Sequence, residues 1–188
     1  PSAREALVCS RAAGTIPRPS LFHLVRMPLT LDRSDLRFTG SLAAPLTIDL
    51  AGITPERVAN RSAAEVADLA IEADGRRCLL GDICTVRGNT SDGRIECRGD
   101  FSRVHWIGAG MQWGEMVVEG SVGRHAGEAM SVGRLSIHGD AGDWLAAEMR
   151  GGTVHVSGGA GDNAAAALPG SDHGMRGGMG IIEGRSEE

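Results

Sequence analysis

The fold is decided by residues 133–158, which read GRLSIHGDAGDWLAAEMRGGTVHVSG. A seven-residue segment with a glycine at each end opens this stretch, and another closes it. The pattern occurs five times in the second half of the chain, at 93–99, 114–120, 133–139, 152–158 and 178–184. Its opening glycines are separated by 21, 19, 19 and 26 residues. A nearly fixed step of this size is typical of a solenoid, in which each repeat is one coil that must pack on its neighbours.

Apolar and polar residues alternate within the segments. The inward positions are Ile95, Cys97, Met116, Val118, Leu135, Ile137, Val154, Val156, Gly180 and Ile182. A period of two predicts a short strand with one buried face. Glycine at both ends predicts that the backbone turns there with unusual dihedral angles.

Two further rows share the step of the strands. One row is Gly123, Gly142 and Gly161, and the other is Met111, Met130, Met149 and Met175. A methionine row is compatible with a soft-metal or cofactor surface, but the even step favours flexible apolar side chains that fill the core from a corner.

These observations predict a mainly β protein, a parallel β-helix with about 19 residues per coil. Its coils would stack at the usual strand spacing of about 4.7–4.9 Å. A β-propeller blade needs about 40 residues, and a leucine-rich repeat needs leucines that this chain lacks. The longer step before the last segment predicts that residues 164–174 bulge from one corner as a loop.

Composition narrows the functional classes. The chain has 188 residues and a net charge of −5, which disfavours a general nucleic-acid partner. The sequence contains no run of 18 apolar residues, so it does not predict a transmembrane helix. The cysteines, Cys9, Cys78, Cys84 and Cys97, form no Cys-x-x-Cys pair, and free thiols without a clear signal peptide predict the cytoplasm.

The amino-terminal half differs from the repeats. Residues 1–26 are predicted to be a disordered or non-native extension before a natural start at Met27, residues 27–80 an α+β cap, and residues 81–188 the glycine-rich β-helix. Within the cap we expect two strands between Leu29 and Leu50 and a helix that begins at Thr54-Pro55. Ser62 and Glu65 predict a capping box for a helix from Ala63 to about Ala70. Residues 79–83 are expected to form a strand that leads into the first coil.

Candidate sites are weak. His138 and His155 fall on outward positions of adjacent coils, but a third metal ligand is not evident. His105, His125 and His173 are expected in corners or in the insertion. The run GSVGRHAG, residues 120–127, lacks the following helix that a phosphate loop needs. Trp144 is either an exposed anchor for a partner or a ring packed on its own coil. We therefore predict no catalytic, cofactor-binding or metal residue on this chain.

The residues also carry a resemblance. The runs GDAGDWLAAEMRGGTVHVSGGAGDN (139–163), GMRGGMGIIEG (174–184), TPERVANRSAAEVADL (54–69) and LLGDI (79–83) resemble the C subunit of formylmethanofuran dehydrogenase. The likeness covers about 27–188 and is closest to the bacterial relative in the formyltransferase/hydrolase complex. The coil motif alone is shared with the carboxy-terminal domain of the glutamate synthase large subunit.

The resemblance implies a right-handed β-helix that serves as a scaffold subunit of an oxidoreductase or of a formyl-transferring complex in tetrahydromethanopterin-linked one-carbon metabolism. It implies amidohydrolase-like and formyltransferase-like partner subunits, which carry the metals and the methanofuran-type carriers. The family offers no catalytic residue that matches a position of this chain.

Alternatives remain open at this point. The chain could be a glutamate-synthase-type spacer of an amidotransferase system, or a β-helical enzyme or polysaccharide binder that works alone. A lone enzyme or polysaccharide binder would need clustered carboxylates or exposed aromatics aligned along one groove, whereas Glu96, Glu119 and Glu183 skip coils and make no such pair. The chain also departs from the family by stopping at Ser186-Glu187-Glu188 soon after a strand. Either a partner caps the last coil or further coils are lost.

Overall fold

The computed structural model describes residues 27–34 and 47–185, which form short strands and three short helices. The strands are β1 (Leu29–Asp32), β2 (Ile48–Asp49), β3 (Ala70–Ala73), β4 (Arg76–Leu79), β5 (Thr85–Arg87), β6 (Arg94–Arg98), β7 (Val104–His105), β8 (Glu115–Val118), β9 (Arg134–Ile137), β10 (Thr153–Val156) and β11 (Met179–Ile182). The helices are α1 (Pro55–Val58), α2 (Ala63–Ala67) and α3 (Leu80–Ile83). The predicted extension 1–26 with Cys9, residues 35–46 and residues 186–188 lie outside the described residues.

Six strands form one parallel ladder, which we call the parallel stack: β1, β6, β8, β9, β10 and β11. Leu135 lies opposite Met116 on one side and opposite Val154 on the other. Equivalent positions of successive repeats therefore lie over one another, and the five strands predicted from the glycine segments are confirmed. Because the register never slips, the buried positions of β1, β6, β8, β9 and β10 form one continuous apolar row, whereas Gly180 of β11, which was predicted to face inward, is exposed.

The parallel stack begins earlier in the chain than the glycine repeat suggests. Leu29 lies opposite Ile95, and Leu31 lies opposite Cys97, so β1 adds a strand on the amino-terminal side of the first repeat. Strand β5 then pairs antiparallel with the other edge of β1. The boundaries predicted for the cap, 27–80, and for the β-helix, 81–188, stay predictions.

A second ladder connects the amino-terminal part to the repeats. Strands β4, β3, β2 and β7 form a sheet in which Ile48 pairs in parallel with Val104. Isolated parallel bridges then link Phe101 to Val122, Val122 to Ala141, and Ala141 to Ala160. Each repeat thus contributes two pairing segments, which lie on different sides of the same apolar core.

The helices confirm one capping prediction and correct others. Ser62 and Glu65 form the predicted capping box, although α2 ends at Ala67 and Ala70 already belongs to β3. Thr54 precedes α1 and was expected to cap this helix with its side chain. The structure shows no capping hydrogen bond from that side chain, so the expectation is wrong.

The strand predicted at residues 79–83 is wrong, because Leu80–Ile83 is the helix α3. The Asp82 carboxylate accepts a hydrogen bond of 3.0 Å from the Leu79 amide, which closes a helical turn over the sequence that reads as an apolar strand.

The methionine row belongs to the core. Met111, Met130 and Met149 are fully buried, whereas Met175 is half-buried against the same cluster. The core interpretation of this row is therefore confirmed. Flexible thioether side chains suit the irregular space at a corner because they can adopt several rotamers.

Glycine serves two different purposes at the ends of the strands. The opening glycine Gly133 has φ of +99°, as the unusual dihedrals predicted. The closing glycine Gly139 has no positive φ; instead, a Cβ there would lie 2.5 Å from the Ser121 amide nitrogen. The prediction of unusual dihedrals at both ends is thus wrong for Gly139, where the close approach of two backbones demands glycine.

The predicted insertion leaves and rejoins the stack at adjacent points. The Met175 amide donates a hydrogen bond of 2.8 Å to the Ala165 carbonyl, and the Arg176 amide donates one of 2.8 Å to Met149. The intervening residues contain no regular element. The bulge predicted at 164–174 is confirmed, and it leaves the pairing of β10 with β11 intact.

The opening glycines generate a first prediction. Gly133→Ala should lower the free energy of unfolding by more than about 1 kcal/mol, because its φ is positive and its Cβ would lie 2.7 Å from the Gly114 carbonyl oxygen. Gly170→Ala is the matched control, since its φ is +87° but nothing lies within 4 Å of the added Cβ. Urea unfolding followed by circular dichroism measures both. Equal losses would contradict the role of backbone approach.

The buried thiols generate a second prediction. Burial raises the pKa of Cys84 to about 12 and also raises the pKa of Cys97. An unfolded thiol ionises near pH 8.5, so above that pH the unfolded chain binds fewer protons than the folded chain and stability falls as pH rises. The chain has no Tyr and no Lys, so few other side chains titrate between pH 9 and 12.

Urea unfolding at pH 8, 9 and 10 should therefore show a falling free energy of unfolding. In Cys84→Ala the fall should be smaller, because one of the two buried thiols is gone. Cys78→Ala removes a half-buried thiol and is the control for losing any cysteine. If Cys84→Ala leaves the pH dependence of the free energy of unfolding unchanged, the buried thiol of Cys84 is not its cause.

Candidate functional site

The outward carboxylates of the parallel stack are engaged by arginines. Arg94 contacts Glu96 at 3.1 Å and Glu115 at 3.4 Å. Arg98 contacts Glu96 at 2.9 Å and Glu119 at 3.5 Å, and its hydrogen bond to Glu96 raises the pKa of its guanidinium. Because each of these carboxylates has a cationic neighbour, Glu96 within its own strand and Glu115 and Glu119 across repeats, they form charge pairs rather than the acid–base pair that hydrolysis needs.

The two outward histidines do not share a ligand set. His155 pairs in register with Ser136, so His138 lies two residues further along the neighbouring strand. The Nε2 atom of His155 lies 3.0 Å from the Glu183 carboxylate. Within the described ranges, no three of the His, Cys, Asp and Glu side chains are grouped as a metal site would require.

One corner of the repeats carries a column of parallel rings, Trp106, His125 and Trp144, which we call the aromatic column. The ring centroids of Trp106 and His125 are 4.9 Å apart with planes within 6°, and those of His125 and Trp144 are 6.1 Å apart with planes within 3°. The Trp144 ring is half-buried and stacks on His125 of the preceding repeat, which favours the packed alternative for this residue. The 19-residue step from 106 to 125 to 144 was visible in the sequence and is the signal that predicts this column.

The backbone at this corner is left-handed without glycine. The φ angles are +56° at Trp106, +64° at His125 and +61° at Trp144, and Asn163 continues the series with +60°. Left-handed φ is costly for large residues, so ring stacking and the backbone ladder together hold the conformation.

His125 also approaches a carboxylate. Its Nδ1 atom lies 2.6 Å from the Glu128 Oε2, with both side chains mostly buried. The angles do not meet hydrogen-bond geometry, so the structure shows a close approach of the imidazole to the carboxylate rather than a hydrogen bond.

His105 lies in β7 rather than in a corner, which corrects the expectation for this residue. Its Nδ1 accepts a hydrogen bond of 2.8 Å from the Arg124 amide. Burial, and then the charges of Arg124 and His125, lower the pKa of His105, while Asp49 opposes them. His125 and His173 lie in a turn and in the insertion, as expected.

A pocket of about 290 Å³ opens beside His105. It lies where the sheet β2–β3 meets the repeats, and its charged lining consists of Asp49, Glu72, Asp74 and Arg124. Sequence reasoning missed this pocket, because Asp49 and Glu72 come from the amino-terminal part and have no place in the 19-residue step.

The phosphate-loop alternative finds no support in the backbone. Residues 120–127 pass through an isolated bridge at Val122 into a turn, and the next regular element is the strand β9. A Cβ at Gly123 would lie 2.5 Å from the His105 ring nitrogen, so this glycine makes room for His105. The interpretation of this run as a structural corner is confirmed.

Two of the exposed large apolar residues lie together at a different corner, and the others in the described part of the chain are Met27, Leu79, Met179 and Ile181. Trp113 is 43% exposed and Val132 is 55% exposed, and the two occupy equivalent positions of adjacent repeats. We call this pair the apolar corner. Among the described helices, none is long and apolar enough to cross a bilayer.

The aromatic column generates a third prediction. His125→Asn should lower the free energy of unfolding by about 1–3 kcal/mol, because two ring contacts of about 0.5–1.5 kcal/mol each are lost. Asn tolerates the left-handed backbone, as Asn163 does two repeats later, so the substitution isolates the ring contacts. His138→Asn, on an exposed outward position, should change stability by less than about 0.5 kcal/mol. Thermal and urea unfolding would compare the two, and equal effects would refute a stabilising column.

Comparison with known proteins begins with sequence. No profile of a known protein family matches the chain. The chain is 36% identical over 91 residues to the C subunit of the formyltransferase/hydrolase complex Fhc of Methylorubrum extorquens, a match that covers 48% of this chain and 33% of the relative.

The fold matches a chain in the X-ray crystal structure of the formyltransferase/hydrolase complex FhcABCD from Methylorubrum extorquens in complex with methylofuran. The TM-score is 0.74 at 32% sequence identity, and the match covers 84% of this chain and 56% of that chain. The chain thus spans a third to about half of the length of these relatives. Sequence and fold agree with the predicted resemblance, because the chain is similar in sequence to the C subunit of the formyltransferase/hydrolase complex and in fold to a chain of that complex.

Proposed function

We propose that this chain is a non-catalytic scaffold subunit of a hetero-oligomeric formyltransferase/hydrolase or formylmethanofuran dehydrogenase-type complex. The observation that carries the proposal is the fold match over 84% of the chain to a chain of FhcABCD. Its partners would be an amidohydrolase-like and a formyltransferase-like subunit in tetrahydromethanopterin-linked one-carbon metabolism. Metals and methanofuran-type carriers would reside on those subunits.

We also propose that the parallel stack is one side of a right-handed β-helix. Support comes from the two ladders that share the repeat, one through β8, β9 and β10 and one through Val122, Ala141 and Ala160. A chain that pairs with itself twice per repeat has little freedom to bend, because each repeat is held to the next on two sides. Such rigidity suits a subunit that fixes distances between catalytic partners.

The outward chemistry supports a role without an active site on this chain. Glu96 and Glu119 are paired with arginines, and the pair His125–Glu128 is enclosed at the aromatic column. The free thiols Cys84 and Cys97 are buried, where a raised pKa makes them poor nucleophiles. Free thiols also support the cytoplasm as the compartment.

The apolar corner is where we expect a partner subunit to bind. Trp113 is exposed, and tryptophan is a residue type that often dominates the binding energy of protein interfaces. Val132 adds a smaller exposed apolar side chain at the equivalent position of the next repeat. The Trp113 ring covers Gly93, so it is partly fixed before any partner arrives. A partly fixed anchor loses less conformational entropy on binding.

A fourth prediction tests the scaffold role. Affinity-tagged chain purified from its native source should bring down an amidohydrolase-like and a formyltransferase-like subunit in fixed ratio. Size-exclusion chromatography should show the three together. Migration as a stable monomer without these partners would overturn the proposal, and recovery of glutaminase and synthase subunits would instead favour the glutamate-synthase-type spacer.

The binding surface can be tested in the same preparation. Val132→Glu should reduce partner recovery by at least tenfold, because it places a charge at the centre of the apolar corner. His138→Glu adds the same charge at an exposed polar position and is the matched control. Circular dichroism of both variants checks folding, and equal recovery would exclude the apolar corner as the contact.

A further inference from the structure

His105 joins the amino-terminal sheet to the repeats. Its carbonyl accepts a hydrogen bond of 3.1 Å from the Leu50 amide, just beyond β2. Its ring Nδ1 accepts one of 2.8 Å from the Arg124 amide, in the turn of the next repeat. One residue therefore bonds to both parts of the molecule, through its backbone on one side and its ring on the other.

The ring bond exists only in one protonation state. A backbone amide always donates, so the Nδ1 atom that receives it must carry no proton. Gly123 permits the close approach, since a Cβ there would lie 2.5 Å from Nδ1. Protonation would place an N–H opposite the Arg124 N–H at 2.8 Å, where two donors repel.

Charged groups surround the ring on two sides. Arg124 and His125 of the next repeat disfavour the imidazolium, and burial acts in the same direction, so the pKa of His105 lies below its ordinary value. Asp49 of β2 favours the imidazolium. Glu72 of β3 and Asp74 line the same pocket of about 290 Å³ and add negative charge on that side.

We propose that His105 is a pH-sensitive switch: protonation breaks its bond to the Arg124 amide and turns the imidazolium into the acidic pocket beside Asp49 and Glu72. The turn at Arg124 then loosens while the strand ladder remains paired. This inference does not depend on the scaffold role. It assigns to the junction a conformational change that acid triggers and neutral pH reverses.

Amide hydrogen exchange tests the switch on the full chain by two-dimensional NMR. The protection factor of the Arg124 amide should fall at least tenfold once the pH is low enough to protonate the His105 ring, which the ring's own NMR signals report, and should recover on return to pH 7.5. The Gly142 amide, which donates to the Val122 carbonyl at 3.1 Å, is an internal control and should keep its protection. Unchanged protection of Arg124 would overturn the proposal.

His105→Asn separates the switch from simple acid unfolding. The Asn Oδ1 can accept from the Arg124 amide at every pH of this experiment, so protection should become independent of pH. His138→Asn should behave as the parent chain. An equal loss of protection in His105→Asn and the parent would overturn the proposal.

The parent chain alone supplies a second measurement, which holds even if His105→Asn misfolds. The His105 ring and the Arg124 amide should titrate with one midpoint, below the ordinary histidine value of about 6.5. Asp49→Asn should lower that midpoint further, because it removes a charge that favours the imidazolium. Two separate midpoints for ring and amide would contradict a switch at His105.

Discussion

The in-register backbone ladder between repeats is the constraint on which the rest of the structure depends. Parallel strands lie about 4.7–4.9 Å apart, and every feature of one repeat must fit over its counterpart at that distance. A Cβ at Gly139 would lie 2.5 Å from the Ser121 nitrogen, so side chains are excluded where two backbones meet. The same distance suits flat rings, and Trp106 and His125 lie 4.9 Å apart. Glycine at the strand ends and stacked rings at the corner both fit the same spacing between repeats.

Stacking like over like also sets the charge pattern of the surface. A row of identical charges would repel along the ladder, and the structure instead places Glu115 of β8 beside Arg94 of β6. Glu96 forms ion pairs with Arg94 and Arg98, which lie two residues before and after it in the same strand. Pairing of this kind stabilises little at an exposed site, but it occupies carboxylates that would otherwise attract ligands. The carboxylates of Glu96, Glu115 and Glu119 are therefore held in charge pairs with arginines.

Sequence reasoning predicts the structural features that recur in every repeat, and it fails for segments that lie outside the 19-residue period. Strands β6, β8, β9, β10 and β11, the buried Met111 row and the bulge before β11 all follow from the 19-residue step, whereas β7 does not. The place of β1 in the stack does not, because three helices and the strands of a second sheet separate Leu29 from Ile95 in the chain. The residues 79–83 have strand composition, yet the Asp82 carboxylate caps a helical turn. Left-handed φ at Trp144 was also beyond prediction, since sequence rules reserve it for glycine and asparagine.

The candidate surfaces divide in the same way. The apolar corner and the aromatic column have the step of the repeat and were open to sequence reasoning, whereas the pocket at His105 needs Asp49 and Glu72 from the amino-terminal part. That part meets the repeats through β1 beside β6 and through β2 beside β7, two ladders on different sides of one core. A movement at one ladder strains the other, so the two parts cannot turn as separate bodies. A change confined to the ring of His105 and the turn at Arg124 avoids that strain, because it leaves both ladders paired.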